Sequence, residues 1–82
     1  MSEDTTQFAS WLLRVMNRND LTVEQVADRS GVSRKDVRNW MRGNSIPKTV
    51  YFVFLLKALS QLIECDEALL YQQASEAILK DS

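Results

Sequence analysis

Four residues in one short stretch, Arg34, Lys35, Arg38 and Asn39, carry the side chains best suited to reading nucleic-acid bases. A guanidinium or ammonium group donates to the N7 and O6 of guanine, and a carboxamide pairs with adenine. Arg42, Asn44, Ser45 and Lys48 follow closely, and Thr22 and Ser33 precede. Cations, hydroxyls and backbone amides of this kind hold phosphate oxygens and set register on a duplex. Base readout is therefore expected from Arg34, Lys35 and Asn39, with Arg38 suited to base or phosphate. Backbone contacts are expected from Thr22, Ser33, Arg42, Asn44, Ser45 and Lys48.

Catalytic and metal chemistry find little here. The 82 residues hold no histidine and one cysteine, Cys65. Histidine-dependent triads, Cys-His dyads and the usual zinc sites are excluded within the chain. No phosphate loop or carboxylate cluster stands out, so no enzyme activity, cofactor or metal is expected. A lone thiol also points to a reducing compartment, and the expected location is cytoplasmic, on the nucleoid.

The net charge of −1 argues against nucleic acid only until its distribution is considered. Residues 14–48 carry eight Arg or Lys against Asp20, Glu24, Asp28 and Asp36. Residues 49–82 carry Lys57 and Lys80 against five carboxylates. A local cationic patch attracts phosphates whatever the total charge.

The elements that position these groups read as helices. Length allows one domain over 1–82. Two Gly, one Pro and few β-branched runs favour helix over strand. A first helix is expected from Thr6 to Asn17, with Phe8, Trp11, Leu12, Val15 and Met16 on one stripe. Thr22 and Gln25 form a capping box for a second, with Leu21 placed as a staple on Val26 and Gly31 ending it. Ser33 caps a third from Arg34 to about Met41, with Asp36 expected to reach back. Arg42 and Gly43 close it, and 44–48 form a loop in which Pro47 bars helix at Ile46.

A fourth helix, about Thr49 to Glu64, is apolar nearly all round and is expected to be buried and central. A fifth runs about Glu67 to Lys80. Its stripe of Leu70, Tyr71, Ala74, Ala77 and Ile78 either closes the core or forms a dimer seam. The longest apolar run, Val50 to Leu56, is far short of the about 20 residues that span a bilayer, so no membrane is expected. Residues 1–4 lack the basic and apolar segments of a secretion leader.

The second and third helices meet at a tight corner. Ala27 is small enough for crossing helices, Gly31 permits a positive φ, and Val37 anchors the third helix. Val26, Val32 and Trp40 complete a buried set at the spacing of a helix-turn-helix.

Over Leu21 to Leu59 the sequence resembles the XRE, or Cro/CI-type, family of phage and bacterial regulators. The residues that carry the likeness are Leu21 to Ala27, Ser30 to Ser33, Val37 to Trp40, Gly43, Pro47, Leu55 and Lys57 to Leu59. The stretch Trp40 to Arg42 with Ile46 to Lys48 is also similar to CII-type activators of lambda-like phages, which are homotetramers. The resemblance implies an all-α, five-helix, lambda-repressor-like domain with its helix-turn-helix in helices 2 and 3. It implies binding to a palindromic or repeated DNA operator, as a homodimer or higher homo-oligomer, with repression favoured over activation. An activator would also need RNA polymerase as a partner. Val23 stands where the family often has a backbone-contacting Gln, and Asp36 places a carboxylate on the recognition helix. A different class of function, a protein-interaction module such as an antitoxin, is the alternative.

Overall fold

The computed structural model describes residues 6–81, and the reading of residues 1–4 lies outside them. Five helices and no strand are found among the described residues: α1 (Gln7–Arg18), α2 (Val23–Ser30), α3 (Arg34–Arg42), α4 (Thr49–Ile63) and α5 (Glu67–Lys80). No helix is long and apolar enough to cross a membrane.

Local chemistry sets most helix ends. The Thr6 hydroxyl accepts from the Ala9 amide at 3.0 Å and starts α1. At α2 both halves of the capping box close. The Gln25 amide donates to Thr22 Oγ1 at 3.1 Å, and the Thr22 amide donates to Gln25 Oε1 at 2.8 Å. At α3 only half forms: the Asp36 amide donates to Ser33 Oγ at 3.0 Å, and the expected return bond from Asp36 is not made. Aspartate is one methylene shorter than the Glu or Gln that completes such a box.

Left-handed residues follow or cap the C-termini of α1 to α4, while α5 ends on Asp81 in the right-handed region. Gly31 has φ 79° and its amide donates to the Ala27 carbonyl at 2.8 Å. No atom approaches within 4 Å of where a Cβ would lie, so backbone conformation alone selects glycine here. Gly43, also at φ 79°, lets the Asn44 amide reach the Asn39 carbonyl at 2.9 Å, while its own amide donates to Trp40. This paired closure carries α3 one residue past the expected Met41.

Asp20 and Glu64 close α1 and α4 in the same conformation, at φ 55° and 54°, without being glycine. Side chains pay for that conformation with about 1–2 kcal/mol. Glu64→Gly is expected to stabilise the chain by about 0.5–1 kcal/mol, raising the melting temperature by ~2–8 °C in a calorimetric scan.

The core gathers one face from every helix. Phe8, Leu12, Met16, Val26, Val37, Leu55, Leu56 and Leu59 are fully or almost fully buried, joined by Trp11, Ala27, Val32, Trp40, Leu70, Ala74 and Ala77. Aromatic contacts run from α1 through α4 to α5. Phe8 meets Trp11 at 5.8 Å and Phe52 at 6.3 Å between centroids, and Tyr71 stands edge-on to Phe52 at 5.7 Å. Helix α1 packs on α3 and α5, α2 on α3 and α4, and α4 on α5. Of the apolar stripe of α5, Leu70, Ala74 and Ala77 are buried in this chain's own core, and Tyr71, Ile78 and Cys65 pack partly buried against it.

Helix α4 corrects the sequence reading. Leu55, Leu56, Ala58 and Leu59 are buried, but Val50, Tyr51, Val53 and Phe54 remain 39–53 % exposed. Neighbours α2 and α5 cover one side of α4 and leave the other open. An 82-residue chain has too few elements to surround a central helix.

A long-range bond ties the two ends of the described chain. Asp81 accepts from the Gln7 amide at 2.7 Å and from the Phe8 amide at 3.1 Å. These are first-turn donors of α1, left open by the helix itself. Trp11 Nε1 adds a 3.0 Å bond to Gln73 Oε1 between α1 and α5. Asp81→Ala is expected to cost about 1–2 kcal/mol in urea unfolding, with the m-value unchanged.

Candidate nucleic-acid interface

Helix α3 sits in the protein by one face only. Val37 and Trp40 are buried and Met41 packs partly against the core. Residues three and four apart share a helix face, so Lys35, Arg38 and Arg42 stand together on the side away from Val37 and Trp40. All three are exposed, and no ion pair or hydrogen bond engages them among the described residues. Asn39 belongs to the same side but is half-buried, so it is less free than the residues around it.

Arg34 lies on the flank towards α2. Its Nη1 is 3.9 Å from Glu24 Oε2, with both side chains more than half exposed. Such a pair contributes on the order of 0–1 kcal/mol, and any stronger anion displaces Glu24 from Arg34. Asp36 occupies the opposite flank. It lines a shallow groove with Trp40, Ser45, Ile46, Lys48 and Tyr51. The expected phosphate ligands Ser45 and Lys48 are thus gathered beside the recognition-helix candidate, with one carboxylate among them.

Arg42, expected with Gly43 to close the third helix, lies inside it. It is the last residue of α3, because the Gly43 closure draws it into the final turn. A further groove, lined by Leu13, Arg38, Met41 and Arg42, shows that the two arginines border α1. Arg38 and Arg42 are therefore one turn apart on a single helical face. Asn44 donates its amide to the α3 cap and keeps an exposed side chain.

The hydroxyls of Thr22 and Ser33 each accept a cap bond from their own helix. Each still has an O–H to donate, as a hydroxyl carries one donor and two acceptor sites. Both residues are exposed.

The start of α4, beside which the sequence already places Lys48, differs from the other helix starts. Lys48 occupies its N-cap and no side chain caps it. Thr6, Thr22, Ser33 and Asp66 cap the other four helices. Free amides at a helix start, next to a lysine, favour an anion there. Lysine at a cap position was the available signal, since it supplies no acceptor for those amides.

No group of three or more His, Cys, Asp or Glu able to hold a metal ion occurs among the described residues. Comparison of the chain with family models, with curated proteins and with solved structures found no match.

Proposed function

We propose that this protein is a helix-turn-helix regulator that binds duplex DNA by sequence, with α2 and α3 as its two motif helices in a lambda-repressor-like arrangement. The observation that carries the reading is the outward cationic face of α3, anchored from behind by Val37 and Trp40. A helix so mounted enters the major groove with its N-terminal residues first. Arg34 and Lys35 lead and read bases, with Asn39 behind them. Arg38 serves base or backbone, and Arg42 follows along the groove wall.

Phosphates on either side are held by three helix starts. Thr22 and Ser33 offer hydroxyl protons on the α2 side. Asn44, Ser45, Lys48 and the uncapped amides of α4 take the other. The regulatory outcome we assign is repression, since occupying an operator suffices to exclude polymerase. Two copies on a palindromic or repeated site supply the contacts that one short helix lacks.

The test is selection from a random duplex pool, followed by titration of the selected site at several salt concentrations. Enrichment of a defined sequence supports the reading, and binding indifferent to sequence refutes it. Two variants separate the roles. Arg34→Ala is expected to relax preference at one base pair per half-site, losing about 1–3 kcal/mol of discrimination there. Lys48→Ala is expected to weaken all duplexes alike and to reduce the salt slope by about one unit.

A further inference from the structure

The outer side of α4 is left about half exposed by the packing of the monomer. Val50, Val53 and Phe54 recur at the three- and four-residue steps of one helical face, and Tyr51 flanks them. Ile46 continues the patch into the preceding loop and is 39 % exposed. Lys57 is the next residue on that face, and no carboxylate lies among these positions.

We propose that this face pairs with the same face of a second copy of the chain. Size is the first argument. With 39–53 % of each of the five residues open, and a whole aromatic side chain presenting roughly 150–250 Å², the patch amounts to about 400 Å² per copy. Two copies then bury about 800 Å² of apolar surface, and the polar residues around it bring the contact to the lower edge of stable interfaces. A patch of about 400 Å² falls in the range of the largest apolar patch on an ordinary monomer, and such patches are often functional.

Geometry is the second argument. Ile46 and Tyr51 share a groove with Asp36 and Trp40, so the patch begins where α3 ends its packing. Whatever covers it lies beside the cationic face. The Cα extents are 31 × 25 × 25 Å. Two molecules of that size in contact have centres separated by nearly the about 34–36 Å between successive turns of a major groove. This pairing rests on the duplex-binding reading for its spacing and not for its chemistry.

Helix α5 is the competing seam, and it offers less. Its stripe faces the core, which leaves Leu69 and Leu79 exposed about 15 Å apart along the helix.

Sedimentation velocity over a wide concentration range tests the pairing without DNA. The expected mass rises from the 9.4 kDa monomer towards twice that value. Phe54→Glu and Val50→Glu, both at exposed positions, are each expected to weaken self-association more than about 10-fold. Circular dichroism and melting should be unchanged in both. Leu79→Glu should leave association as in the parent. On DNA, Phe54→Glu should bind a single half-site as the parent does and lose cooperativity on a paired site. A parent chain that stays monomeric throughout overturns the inference. So does undiminished association of Phe54→Glu and Val50→Glu, or its loss in Leu79→Glu. If no duplex is bound by any form, the DNA reading falls, while the sedimentation result still decides the pairing.

Discussion

Replacing Arg34 and Lys35 together by Glu lowers affinity for the selected duplex at least about 100-fold and leaves the fold intact. Each residue stands to lose a base contact worth about 1–3 kcal/mol, and 1.4 kcal/mol is tenfold in affinity. Two carboxylates facing the phosphates then add repulsion to that loss. Stability changes little, because both side chains are exposed and Arg34 makes only the loose contact with Glu24. Fluorescence anisotropy with a labelled duplex measures the first effect, and a thermal melt the second. Wild-type affinity in a well-folded double variant would remove α3 from the interface. The same variant separates DNA binding from an antitoxin-like function, because partner capture elsewhere on the surface would survive it.

The second large effect falls on folding. Trp40→Ala is expected to destabilise the chain by about 3–5 kcal/mol, as other large-to-small aromatic truncations do. Trp40 is 3 % exposed and belongs to the main core cluster. It also lines the groove that brings Asp36 together with Ser45, Lys48 and Tyr51. Removing it leaves a cavity where α3 meets the core, and the loop to α4 loses its backing. A small domain has on the order of 5–10 kcal/mol in total, so such a loss consumes a large share. The melting temperature should fall by ~15–30 °C. Trp40→Phe, which keeps a ring in the site, should cost less than half as much. Equal melting of the Ala variant and the parent would show that α3 is held by something other than this side chain.

The two variants probe opposite sides of one helix. Residues of α3 alternate between anchoring and presenting at helical spacing, so the binding face is only as well placed as its anchor. Charge reversal at Arg34 and Lys35 removes what the helix offers. Truncation at Trp40 removes what aims it.

Much of this was legible in the chain because it is local. Thr22 with Gln25, and Ser33 with the Asp36 amide, act over three residues. Gly31 and Gly43 act through their own φ. Helical spacing of Phe8, Trp11, Leu12 and Met16, and of Val37 and Trp40, identified buried faces correctly. Exposure of Arg34, Lys35 and Arg38 follows by opposition to those faces.

What only the tertiary structure decided involves partners far apart or patterns with no period. The Asp81 carboxylate and the start of α1 are 74 residues apart, and no spacing rule connects them. From Val50 to Leu56 every side of α4 is apolar, so periodicity there has no polar face against which to orient the helix. Which of its side chains meet the core and which meet water is set by where α2 and α5 lie. Sequence thus determined five helices, the closures at Thr22, Gly31, Ser33 and Gly43, and the outward side of α3. The fold alone determined which half of α4 was left over, because burial is a relation between elements rather than a property of one.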